Sequence, residues 1–257
     1  MSGISRLLPI LAVNFVGTLG LSIVLPFLVF VVNGWGGNAV IYGIVSASYS
    51  AFQLIGAPIL GRWSDRLGRR KILLLSQLGT LLSWIVFHFA FLLPLEPSWN
   101  VDSRLLGTFQ LTLPLVVLFI ARAADGLTGG NVSVANAYLA DITSEQDRST
   151  NFGKMAVSTN LGFILGPAIA GLLGATVMGE LLPVLAALGI SAAATLIIAL
   201  RLPESRPCVL SREPDLGSVR KVFGQEHKAC FDFEEAPNLT IRETARLPGV
   251  PLILSIY

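Results

Sequence analysis

The stretch GRWSDRLGRRK, residues 61–71, decides the fold. It gathers five basic side chains, one carboxylate and two glycines into eleven positions, yet long apolar runs flank it on both sides. A soluble domain rarely places such a cluster between two runs of this kind. A membrane protein does so wherever a short turn joins two spanning helices on the side where Lys and Arg accumulate.

The whole chain supports this reading. Of its 257 residues, 53% are hydrophobic and 13% charged, about half the roughly 25% of a soluble domain. The mean hydropathy is +0.70 and comes from repeated runs of about 20 apolar residues, the length a helix needs to cross a hydrocarbon core about 30 Å thick. A net charge of +2 gives no ground for a nucleic-acid partner. Cys208 and Cys230 fall outside every apolar run, with no CxxC pattern or His/Cys cluster around them, and are read as reduced thiols. No metal and no cofactor is expected.

Six spans are predicted: Leu7 to Val32, Ala39 to Leu60, Ile72 to Leu93, Phe109 to Leu139, Phe152 to Val177 and Leu181 to Leu200. Backbone polar groups in lipid must be satisfied within the segment, and without period-2 alternation to suggest a barrel the spans are helices. The fold class is thus all-α and membrane-embedded. The first run is too long for a cleaved signal peptide and is read as a retained span. With the N-terminus inside, Arg6, the five bases of 61–71, Arg148, Lys154 and the eight bases from Arg201 onward are all cytoplasmic. The outer connections hold only Arg104, and Arg122 lies within span four. The expected location is the cell membrane, the inner membrane if the source is a Gram-negative bacterium.

Residues 1–202 then form a six-helix unit. Residues 203–247, with four prolines and charges of both signs, read as a cytoplasmic linker, on which the Asn238-Leu239-Thr240 sequon should stay unglycosylated. Residues 248–257 turn apolar again but are too short to span, so the chain is expected to end at the start of a truncated seventh helix.

Several constellations carry chemistry. Gly61 is expected to end a helix and Gly68 to take the left-handed conformation of a tight reversal, with Arg66, Arg69, Arg70 and Lys71 at the anionic surface. A positive-inside anchor accounts for those bases but not for Asp65, an acid at a helix end that can pair with Arg69 or cap a neighbouring helix N-terminus. In span four, ARAADGLTGGNVSVANAYLAD, Arg122 and Asp125 are three residues apart and share a helix face. Ionisable groups at that depth mark an ion or substrate path, the alternative being a neutralised pair that only holds helices together. In span five, Gly153, Gly162, Gly166 and Gly171 allow close helix approach, and Pro167 bends the helix. Asn14, Gln53, Asn136 and Asn160 are candidates to line a central cavity, although a lone amide also serves to bond a neighbouring helix. His88, near the outer end of span three, is read as interfacial.

The pattern Gly61, Asp65, Arg66, Gly68, Arg69, Arg70 resembles the loop signature between the second and third helices of the major facilitator superfamily. Arg122 and Gly126 resemble the intramembrane R-x-x-x-G pattern of the same family, in which an acid at 125 is less usual. Gly153, Gly162, Gly166, Pro167 and Gly171 resemble the signature of its drug:proton antiporters, with Ala170 in place of a glycine. Leu19-Gly20 with Pro26, Asp141 and Arg148 between spans four and five, and LPES at 202–205 look like tetracycline-efflux-type members.

The resemblance covers residues 7–205 and implies the N-terminal six-helix half of a transporter. It also implies proton-coupled efflux of a small molecule by alternating access, a charge relay of Asp65, Arg69 and Asp141 that latches one state, and Arg122 with Asp125 as the coupling site. The partners expected are a small-molecule substrate, protons, the bilayer and a missing C-terminal half. A sugar or metabolite facilitator or symporter would share the loop signature, and a truncated half that serves only as an assembly partner is the rival from another class. An enzyme is disfavoured, since no nucleophile/base, metal or nucleotide constellation is present.

Overall fold

The computed structural model describes residues 3–129 and 131–205. The expected linker beyond Ser205, its sequon, both cysteines and the expected start of a seventh helix lie outside the described residues. Among the described residues, six helical stretches are long and apolar enough to cross a membrane: Leu7–Gly34, Ala39–Leu67, Arg69–Ala90, Leu113–Ile142, Arg148–Gly174 and Leu181–Arg201.

The first stretch is two helices, α1 (Gly3–Val24) and α2 (Leu28–Gly34). They part at Leu25 to Phe27, where Pro26 lacks the N–H that would continue the ladder. The second and third are α3 (Ala39–Leu67) and α4 (Arg69–Ala90), with Gly68 alone between them. The expected connection of eleven residues, 61–71, is therefore one residue, and Gly61 lies inside α3 rather than at its end. A 29-residue helix is about 43 Å long at about 1.5 Å per residue. It overruns the hydrocarbon core by a few turns and carries Arg62, Asp65 and Arg66 out on helix. Gly68, with φ of 101°, makes the whole reversal.

A second departure lies at the opposite end. Strands β1 (Pro97–Ser103) and β2 (Gly107–Thr112) pair antiparallel, with Trp99 opposite Leu111 and Val101 opposite Phe109. The expected start of span four at Phe109 is thus strand. Period-2 alternation is present after all, in Phe109 and Leu111 against Thr108 and Gln110, and the helix begins only where Pro114 occupies its first turn. Among the described residues the other elements are helices. Asn38 clamps this hairpin to the bundle. Its Oδ1 accepts from Ile41 N (3.0 Å), capping α3, while its Nδ2 donates to the carbonyls of Leu106 (2.7 Å) and Thr108 (3.1 Å). Gln110 N donates to Gly36 O (2.8 Å), and Thr112 Oγ1 to Trp35 O (2.7 Å).

Span four is α5 (Leu113–Thr128) followed by α6 (Asn131–Ile142), and the last two spans are α7 (Arg148–Gly174) and α8 (Leu181–Arg201). Helix α1 packs on α7 and α8, while α5 packs on α3 and α4. Two apolar clusters form the interior. One, toward the hairpin, contains Leu19, Ile23, Val45, Trp84, Phe87, Leu118 and Val184; the other, toward the Gly68 turn, contains Ile10, Val13, Leu60, Leu73, Tyr138, Met155 and Ile198. On α1, α3, α4 and α8 the residues between the clusters include buried polar ones, Asn14 and Thr18, Ser48, Ser76 and Gln77, and Ser191, and on α5 Arg122 and Asp125 follow directly after the first cluster. A polar belt thus crosses the bundle at mid-depth, where lipid-facing residues alone could not satisfy it.

Candidate functional sites: a charged turn and a polar cavity

At the Gly68 turn, Arg69 is the centre. Its side chain is 7% exposed although it carries a full charge. One guanidinium nitrogen lies 2.6 Å from Asp65 Oδ1, Nε lies 3.1 Å from Asp141 Oδ2, and Nη1 donates to Ser64 Oγ at 2.5 Å. The two acids differ in setting: Asp65 is 55% exposed and Asp141 12%. The three residues expected as a relay are therefore in contact, and of the two roles open to Asp65 the structure gives it the Arg69 pairing. Arg66 is exposed, and Arg70 Nη2 donates to Ala199 O on α8 (2.6 Å).

The helix cap belongs to Glu204, to which the sequence reading gave no role. Its Oε1 accepts from Arg69 N at 2.8 Å and its Oε2 from Arg70 N at 3.1 Å, so a carboxylate meets the exposed N–H groups that open α4. The same short exit from α8 is held twice more. Tyr138 donates its hydroxyl hydrogen to Pro203 O (3.0 Å), and Ser205 Oγ donates to Asp141 Oδ2 (3.1 Å). An acid directly behind the end of a span was the one signal available in LPES.

The second site lies in the belt. Arg122 Nη1 is 3.5 Å from Asp125 Oδ2, the two side chains being 4% and 8% exposed. The Arg122 guanidinium carbon stands 4.7 Å from the centre of the Tyr49 ring, a cation–π contact that partly replaces lost hydration. Among the described residues, Arg122 Nε has no hydrogen-bond partner. Gly126 brings α5 close against α3, since a Cβ there would meet Tyr49 O and stand 3.0 Å from Phe52 Cβ.

Asp125 forms part of the wall of a cavity of about 680 Å³. Asn14, Gln53 and Asn136 line it as expected. Asn160 does not: it is exposed, and its neighbour Thr159 takes the lining position, because one residue turns a helix by about 100°. Asn14 Nδ2 donates to Thr159 Oγ1 at 2.7 Å, and Gln53 Nε2 to Gly129 O at 2.8 Å, so both amides also tie helices together. Gln77, Thr80 and Asn131 line the cavity too; isolated polar residues inside α4 and α6 were the signal that sequence reasoning passed over.

The glycines of α7 divide. A Cβ on Gly162 would stand 2.9 Å from Thr18 Cβ, and one on Gly166 would overlap Ser22, whose Oγ donates to Gly162 O at 2.8 Å. These two make the close contact with α1. Gly153 and Gly171 face open space, so the close packing expected of them is not found within this unit. Pro167 is exposed within the helix. His88 is half-buried, and its Nδ1 has no hydrogen-bond partner among the described residues.

The sequence profile of the Major Facilitator Superfamily matches residues 10–240. The chain belongs to this superfamily. Such a superfamily chain is a multi-pass membrane protein of a transport family rather than an enzyme family. It is 35% identical to the class E tetracycline resistance protein of Escherichia coli over 167 residues, 64% of this chain and 36% of that protein. It is 30% identical to multidrug resistance protein 1 of Bacillus subtilis over 204 residues, 78% of this chain and 46% of that one. The crystal structure of the human organic anion transporter MFSD10 superposes with a TM-score of 0.64 at 22% identity, covering 84% of this chain and 51% of that chain; this likeness speaks for the fold. The superfamily chain thus matches about half or less of each relative's length.

Proposed function

We propose that this chain is the N-terminal half of a secondary transporter that exports a small molecule in exchange for protons by alternating access. The observation that carries the reading is the buried Arg122–Asp125 pair in a polar belt beside a cavity of about 680 Å³. A charged pair at that depth is costly in lipid and is retained where it serves a path. The cavity is the substrate site, and Arg122 with Asp125 couples it to the proton. Asp65, Arg69 and Asp141 latch the turn shut in one state, with the turn and the N-terminus on the cytoplasmic side. Transport requires a second six-helix half, joined through the linker beyond residue 203.

The test is proton-driven accumulation in proteoliposomes containing the complete reading frame. Arg122→Ala should bind substrate yet lose accumulation driven by a pH gradient; normal accumulation would remove the coupling role. Relatives named for tetracycline resistance support a drug as cargo. A second reading, an organic anion, rests on the Nε of Arg122, a buried cationic donor without a partner among the described residues, three positions along α5 from the cavity-lining Asp125. The human protein that shares this fold is itself an organic anion transporter. Counterflow with a labelled tetracycline against a labelled organic anion separates the two.

A further inference from the structure

The hairpin between α4 and α5 has no part in the proposed transport cycle, yet it is clamped to the bundle by Asn38, Gly36 and Thr112. Its depth follows from α3. That helix has 29 residues and is about 43 Å long, and with its last turns beyond the core at the basic end its first residue, Ala39, still stands at the far boundary of a hydrocarbon core about 30 Å thick, where Asn38 holds the hairpin. The chain therefore enters β1 at the level of the lipid headgroups.

Its surface chemistry suits that level. Along α4 a stripe of exposed apolar residues, Leu75, Leu78, Leu82, Val86 and Phe89, repeats every three or four positions and ends at Leu92. This is the lipid-facing surface of a spanning helix. The exposed large apolar residues that follow it in the chain are Leu95 (55%), Trp99 (70%) and Leu105 (86%). Trp99 shares the sheet face of Phe109 and Leu111, which pack against the core, while Asn100, Asp102 and Gln110 occupy the other face. The hairpin is thus amphipathic, bound to the bundle, and continuous with a surface already in lipid.

We propose that the β1–β2 hairpin is an interfacial anchor, in which Trp99 and Leu105 insert into the boundary between headgroups and acyl chains. Tryptophan suits that boundary because its ring is apolar and its N–H can meet a headgroup or water. The anchor would fix how deeply α4 and α5 sit, and through Asn38 the depth of α3.

The test places the full chain in vesicles of phosphatidylcholine and phosphatidylglycerol. The emission of Trp99 is taken as the difference between the wild type and Trp99→Phe. That component should be blue-shifted, should lose most of its intensity when the lipids carry bromine on their acyl chains, and should resist iodide in the buffer. A component quenched by iodide and indifferent to brominated lipid would overturn the proposal, and so would one indifferent to both, which would mean that protein covers the residue. Because Trp99→Phe could disturb the hairpin, Leu105→Cys carrying a spin label provides a second reading. Greater accessibility to oxygen than to a water-soluble nickel complex supports the anchor, and the reverse overturns it.

Discussion

The carboxylate of Glu204 occupies the space that a side chain at Gly68 would need: a Cβ built there stands 2.6 Å from Glu204 Oε2. Two constraints therefore meet at one glycine, a φ of 101° and a carboxylate pressed against its α-carbon. Gly68→Ala should destabilise the chain by about 1–3 kcal/mol, read as a lower unfolding temperature in detergent. Glu204→Ala should cost about 1 kcal/mol through loss of the cap. The double variant should be less damaged than the sum of the two, because removing Glu204 clears the space; full additivity would show that the carboxylate does not crowd position 68.

The two acids on Arg69 should separate stability from gating. Asp65 is more than half exposed, so Asp65→Asn should change stability by no more than about 1 kcal/mol while strongly reducing substrate-driven proton flux. Asp141 is largely buried against a buried guanidinium, so Asp141→Asn should cost about 2 kcal/mol as well as flux. Thermal unfolding and flux measured on the same preparations check this. Unchanged flux in Asp65→Asn would remove the latch.

Substitutions along α7 should split by position. Gly162→Ala and Gly166→Ala force α7 away from Thr18 and Ser22 and should lower the unfolding temperature, each by about 1–3 kcal/mol of overpacking. Gly153→Ala and Gly171→Ala meet nothing within this half and should leave its unfolding temperature unchanged. A loss of transport confined to the latter pair would locate them at the contact with the second half.

Cavity amides should be distinguishable by helix phase. Asn136→Ala should weaken substrate binding by about 1 kcal/mol, roughly fivefold in Kd. Asn160→Ala should leave Kd unchanged. Equal effects in a binding titration on purified protein would disprove the assignment of the cavity wall.

What the sequence discloses here is what local spacing controls. Apolar run length locates the six spans, a separation of three residues on one helix brings Arg122 to Asp125, and Asp65 reaches Arg69 across the one-residue turn at Gly68. The glycines at 162 and 166 are four apart and face one partner. Glu204 was not legible in the same way, because its bond to Arg69 N joins residues 135 apart in the chain and depends on where α8 happens to exit. Asn160 was misplaced by one helical position on a helix whose side-chain hydrophobicity differs little from one face to another. The hairpin escaped notice because its alternation is brief and its strand β2 runs directly into an apolar helix, so that Phe109 and Leu111 read as the helix's first turn.

The single-residue connection at Gly68 also acts as a ruler. With no slack between α3 and α4, inserting one residue anywhere from Asp65 to Arg69 would rotate one side of the cluster relative to the other by about 100°. The Arg69 guanidinium would then swing away from either Asp65 or Asp141, and the Glu204 carboxylate would lose its register with the start of α4. Surface turns usually absorb insertions and deletions. This one, at the outermost point of the bundle and rich in charge, should tolerate length changes as poorly as a packed core.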